Sequence, residues 1–132
     1  MFSELELIGI EKIGTISSLI GAIVLLISAD MATAIEKASQ KGINVTTNPT
    51  SSQVTLKGAQ FNMFGNIMLL VTGVLRFQQR SKQIDTGTSS SGTTLIPNKY
   101  IIVGALLAVL ASVYLVKGVK LRIGEEGQIS II

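Results

Sequence analysis

Two uncharged runs separated by a polar loop constrain this chain more than any other feature. The first is Gly58–Leu75, 18 residues long, and the second is Tyr100–Val116, 17 residues long. At a rise of about 1.5 Å per residue, either run can cross most of a hydrocarbon core about 30 Å thick. Charged residues make up 14% of the 132 residues, whereas a soluble domain carries roughly 25%. The sequence therefore predicts a small integral membrane protein containing a helical hairpin.

A third uncharged run, Ile13–Ala29, lies near the amino terminus and ends at Asp30. A helical pattern continues beyond it to Gly42, a residue type that commonly stops helices. Charge does not decide whether this helix spans the membrane or lies along its surface. Three spans place five Lys and Arg residues on one side and six on the other, whereas two spans divide them seven to four. We favour three spans because the run is long enough.

The predicted fold class is an all-α membrane protein with two to three transmembrane helices and a short extended or β-like loop and tail. Residues 1–132 form one integral membrane domain. Alternating polar and apolar residues predict the extended segments, and strand addition to a partner is one use for such a tail. The predicted order is a helix at about 12–41, an extramembrane loop at 42–57, a helix at about 58–80, a polar loop at 81–98, a helix at about 99–118 and a tail at 119–132.

Small and amide side chains spaced four apart predict where the helices pack. Small residues let helix backbones approach closely in lipid, and a buried Asn amide needs a hydrogen-bonding partner. Asn62 is alternatively placed in the headgroup region, with Asn66 alone buried. The first helix has a comparable row, Gly14, Ser18 and Ala22, with Ser17 and Gly21 beside it. The predicted helix-packing residues are Gly104, Ala108, Ser112, Asn62 and Asn66.

Three cations follow the Gly58–Leu75 run: Arg76, Arg80 and Lys82. Cations near a helix carboxyl terminus interact favourably with the helix dipole, and they also attract anionic lipid headgroups. We therefore predict that these residues contact lipid headgroups.

The composition argues against several kinds of site. The chain contains no Cys and no His, which removes thiolate metal sites, the commonest metal ligand and the commonest general base. Asp30 is the one acid at the edge of a run, where an end cap explains it better than transport does. The Lys and Arg residues are scattered, unlike the basic stripe of a nucleic-acid binder. We predict no catalytic residues, no cofactor, no metal and no nucleic-acid partner.

The region from about residue 65 to 116 resembles one family. The residues that carry the resemblance are Gly73-Val-Leu-Arg-Phe-Gln-Gln-Arg80 and, after a polar loop, Leu95-Ile-Pro-Asn-Lys-Tyr-Ile-Ile-Val-Gly-Ala-Leu-Leu-Ala108. They are similar to the small membrane subunits of type IVB secretion and conjugation systems, the Dot/Icm machines and their relatives. The Ser/Thr-rich loop and the first helix depart from that pattern. The resemblance implies a non-enzymatic, oligomeric part of a transfer channel or pilus-like assembly.

Two functions follow as expectations. The first is a structural or assembly subunit of a multiprotein membrane complex, with the lipid bilayer and other membrane or assembly proteins as partners in a homo- or hetero-oligomer. The alternative is a virion membrane protein or a holin-like pore former, since three spans in so short a chain suit that class as well. The expected location is accordingly a bacterial inner membrane or a virion membrane.

Overall fold

The computed structural model describes residues 2–88, 92 and 94–129. It contains three helices, α1 (Glu4–Gln40), α2 (Ser51–Asp85) and α3 (Ile96–Ile129). All three are long and apolar enough to cross a membrane, and the described residues contain no strand. The prediction of an all-α protein with helices suited to a membrane is confirmed at that level.

Helix α1 begins at Glu4, eight residues earlier than predicted, because a capping box starts it. The Ser3 hydroxyl accepts a hydrogen bond from the Glu6 amide at 3.2 Å, and the Glu6 carboxylate accepts one from the Ser3 amide at 2.6 Å. These two bonds satisfy amide groups that a helix terminus otherwise leaves free. The acidic amino-terminal residues therefore form the first turns of α1.

Helix α2 also starts early, at Ser51 instead of about 58. Thr50 and Gln53 form a second capping box across the first turn. The connection between α1 and α2 is therefore restricted to residues 41–50, and the alternating pattern of residues 53–57 belongs to the helix. The prediction of an extended loop at 42–57 is wrong for residues 51–57, which are helical because the capping residues override the alternation.

Helix α3 continues to Ile129, through residues predicted to be a β-like tail. Contact with α2 explains the difference. Val119 is 5% exposed, and the Glu126 carboxylate accepts a hydrogen bond from the Ser52 hydroxyl at 2.7 Å. Residues 130–132 of the predicted tail, and residues 89–91 and 93 of the predicted polar loop, lie outside the described residues, as does residue 1.

The three helices are joined through the central one. Helix α2 packs closely against both α1 and α3, whereas the backbones of α1 and α3 do not approach each other within the described residues. Consecutive helices run antiparallel. Among the residues that the structure describes, the buried apolar side chains are few: Leu7, Ala59, Val116 and Val119. Large apolar side chains instead face outward along all three helices, as expected where lipid replaces water as the solvent.

Candidate functional site: two seams along the central helix

Glycines bring the backbones of α1 and α2 into direct contact. A Cβ atom added to Gly21 would lie 2.7 Å from the Gly58 carbonyl oxygen and 2.8 Å from the Asn62 amide nitrogen. A Cβ atom on Gly14 would lie 3.0 Å from the Gly65 carbonyl oxygen. We call this contact the α1/α2 seam. It depends on the absence of side chains at these positions, since the atoms that would clash are backbone atoms.

Hydroxyl groups add hydrogen bonds to the α1/α2 seam, one between the two glycine contacts and one beyond them. Ser28 Oγ donates to the Ser51 carbonyl oxygen at 2.9 Å and also contacts the Thr55 hydroxyl. Ser17 Oγ donates to the Phe61 carbonyl oxygen at 2.8 Å. These bonds add polar adhesion between helices in an environment where apolar surfaces gain little by meeting each other.

The α1/α2 seam has a regular register. The facing pairs are Gly14 with Gly65, Gly21 with Gly58 and Ser28 with Ser51, and the two residue numbers of each pair add to 79. Successive pairs are seven residues apart on each helix. A seven-residue repeat keeps one face of a helix against its partner over many turns. The register therefore defines which residue of α2 lies opposite each residue of α1.

A second seam joins α2 to α3. Asn66 Nδ2 donates to Ser112 Oγ at 2.6 Å and lies 3.4 Å from the Ala108 carbonyl oxygen. The residue numbers of the pairs Asn66–Ser112 and Ser52–Glu126 each add to 178. The same rule pairs Ala59 with Val119, and both are buried. We call this contact the α2/α3 seam.

The two seams use adjacent rows of α2. One row faces α1 and the other faces α3, and each member of the second row follows a member of the first in sequence. Because successive residues are about 100° apart around a helix, α1 and α3 pack on neighbouring sides of α2. The rows are Ser51, Gly58, Gly65 and Thr72 toward α1, and Ser52, Ala59, Asn66 and Gly73 toward α3.

The structure brings some predicted packing residues together and separates others. Asn66, Ser112 and Ala108 meet in the α2/α3 seam. Asn62 lies in the α1/α2 seam, with its backbone nitrogen and Cβ against Gly21. Gly104 is exposed, and a Cβ atom there would meet nothing within 4 Å. The sequence signal for the α1/α2 seam is small residues spaced seven apart, whereas the prediction used residues spaced four apart.

Arg76 forms a separate polar cluster at one end of the helices. Its guanidinium pairs with Glu4 at 3.1 Å and with Glu11 at 3.0 Å. Arg76 was predicted to contact lipid headgroups, and these two carboxylates compete with headgroups for its guanidinium. Of the other two, Arg80 is half-buried, and Lys82 is exposed in the last turn of α2.

The register explains why Glu11 needs Arg76. Glu11 lies opposite Met68 in the α1/α2 seam, well inside the uncharged run of α2 that ends at Leu75. A carboxylate at such a depth is costly unless a cation accompanies it. Arg76 reaches back from the first position beyond the run and supplies that cation.

The polar groups in the seams are hydroxyls, amides, backbone carbonyls and the Glu126 carboxylate, and their hydrogen bonds join one helix to another. Residues 2–88, 92 and 94–129 contain no group of three His, Cys, Asp or Glu side chains that could hold a metal ion. Comparison of the chain with family models, with curated proteins and with solved structures finds no match.

Substituting Gly21 by Ala should open the α1/α2 seam. The added methyl group meets the backbone of Gly58 and Asn62, which cannot rotate away. Overpacking of this kind typically costs about 1–3 kcal/mol, and we expect a loss of about 2 kcal/mol in the free energy of unfolding in detergent. Gly9→Ala is the control, because a Cβ at Gly9 meets nothing within 4 Å. Equal stability of the two variants would contradict the seam.

The Asn66–Ser112 bond can be measured by a double-mutant cycle. Asn66→Ala and Ser112→Ala should each destabilise the protein, and the double variant should lose less than the sum of the two. Hydrogen bonds between membrane helices average about 0.6 kcal/mol in such cycles and reach about 1.7 kcal/mol. We expect a coupling energy in that range from unfolding in detergent. Strict additivity would show that the two side chains do not interact.

Proposed function

We propose that this chain is a non-enzymatic structural or assembly subunit of a multiprotein membrane complex. The observation that carries the proposal is the incomplete use of α3. This helix packs against α2 along one face and leaves its other faces without a helix partner among the described residues. One of those faces repeats, at spacings of seven, the small residues that form the α1/α2 seam.

The open face consists of Gly104, Ala111 and Gly118, all exposed. Cβ atoms at Gly104 and Gly118 would meet nothing within 4 Å. Small residues in a membrane helix let another helix approach closely. A helix from another copy of this chain, or from another membrane protein, is the partner that this face suits.

The nature of the complex rests on sequence. The residues around 73–80 and 95–108 resemble small membrane subunits of type IVB secretion and conjugation systems. We therefore propose a type IV secretion or conjugation-like channel or pilus as the assembly, in a bacterial inner membrane. The absence of His and Cys from the sequence also favours a structural role over an enzymatic one.

Gly104→Leu should disrupt assembly without unfolding the chain. Gly104 contacts no side chain of its own chain, so the added leucine obstructs an external helix only. We expect mild-detergent extracts of native membranes to contain a large complex for the unmodified protein and a smaller species for the variant. Leu106→Ala, on the side of the same helix away from this face and 45% exposed, is the control and should leave the size unchanged.

Mass spectrometry of the co-purifying proteins then distinguishes the candidate functions. Secretion or conjugation proteins in the large complex would support the proposal. Capsid proteins would favour a virion membrane protein, and a small homo-oligomer that permeabilises membranes would favour a holin-like pore former. A lone monomer unaffected by Gly104→Leu would refute an assembly role.

A further inference from the structure

An apolar groove runs along the outer side of the α1/α2 seam, on the flank away from α3. Its volume is about 520 Å³, within the range of about 300–1,000 Å³ that is usual for small-molecule sites. Isoleucines of α1 and phenylalanines of α2 form its walls, and two polar residues of α2 stand at one end. The residues that matter here are Ile16, Ile20, Phe61 and Phe64 in the walls, and Lys57 and Gln60 at the polar end.

The walls of the groove are exposed on the surface of the chain. Ile16 is 56% exposed, Ile20 41% and Phe64 49%. These residues belong to the uncharged runs of two helices that are suited to cross a membrane. The molecules that meet such a surface in a bilayer are lipids, and an apolar groove between helices accommodates an acyl chain.

Lys57 gives the groove a preference for one kind of lipid. Lys57 directly precedes the uncharged run Gly58–Leu75 of α2, at the position where that helix would leave the hydrocarbon for the headgroups. A cation at that level attracts anionic headgroups. The ion pairs among the described residues belong to Arg76, so Lys57 has no carboxylate partner there.

We propose that the groove binds an anionic phospholipid, with its phosphate against Lys57 and Gln60 and the upper part of one acyl chain between Ile16 and Phe64. Lys57 supplies the positive charge, and the Gln60 amide supplies a hydrogen-bond donor. From Lys57 to Phe64 the groove follows α2 for seven residues, about 10 Å at the helical rise. The charge and the groove together distinguish this site from general lipid contact along the helices.

Native mass spectrometry of the full-length, delipidated protein tests the site. The protein is titrated with phosphatidylglycerol and with phosphatidylcholine of identical chains. We expect phosphatidylglycerol to bind about fivefold more tightly, the effect of one lysine near an anionic headgroup. Glycerol 3-phosphate, which has no acyl chain, should not bind above background. Equal affinity for the two lipids, or binding of glycerol 3-phosphate at the same level as the lipid, would overturn the proposal.

Three variants localise the effect. Lys57→Gln should abolish the preference for phosphatidylglycerol, whereas Lys12→Gln should retain it. Lys12 is a matched control, since it directly precedes the uncharged run of α1 as Lys57 precedes that of α2, but it does not line the groove. Ile16→Trp fills the groove and should weaken both lipids, with circular dichroism confirming that the helices remain. Equal losses from the two lysine variants, or no effect of Ile16→Trp, would refute a site in this groove.

Discussion

The close contact between the backbones of α1 and α2 is the constraint on which the rest of the structure depends. In water, apolar side chains drive helices together, but in lipid that force is largely absent, and van der Waals contact and hydrogen bonds must hold them. The chain meets this requirement by placing glycines opposite glycines, at Gly14 with Gly65 and at Gly21 with Gly58. Serine hydroxyls then reach backbone carbonyls across the gap, as Ser17 does to Phe61. Because these contacts involve the backbone, the register they form fixes the relative heights of the two helices.

The register has an electrostatic consequence. The uncharged run of α1 lies opposite residues 50–66, at the start of α2, while that of α3 lies opposite residues 62–78. The centres of these two runs are therefore displaced by about 18 Å along the axis of α2. Tilt of the bundle, commonly about 20°, and extension of lysine side chains toward the interface reduce this mismatch. Arg76 lowers the energetic cost of the remaining mismatch by neutralising Glu11. In the groove, a lipid phosphate would neutralise Lys57 in the same way.

The sequence predicted the three helices because uncharged runs are a strong signal in a short chain. Their ends were predicted less well. The capping residues Ser3 and Thr50 start α1 and α2 early, and contacts of Val119 and Glu126 with α2 keep the tail helical. Asn66 and Ser112 were predicted to take part in packing and they meet each other. Gly104 was predicted with them, but a row of residues four apart drifts around a helix whereas a row seven apart stays on one side. Which side of α3 faces α2 depends on α2, so the sequence of α3 alone does not determine it.

Disulfide cross-linking in native membranes tests the register most directly, since the chain contains no Cys and introduced pairs have no background. The hydroxyls of Ser28 and Thr55 are in contact across the α1/α2 seam, and Asn66 and Ser112 are in contact across the α2/α3 seam. Cysteines introduced at Ser28 and Thr55, or at Asn66 and Ser112, should therefore cross-link rapidly under mild oxidation. A pair displaced by one repeat, at Ser28 and Asn62, should not. Efficient cross-linking of the displaced pair, or failure of both matched pairs, would contradict the packing described here.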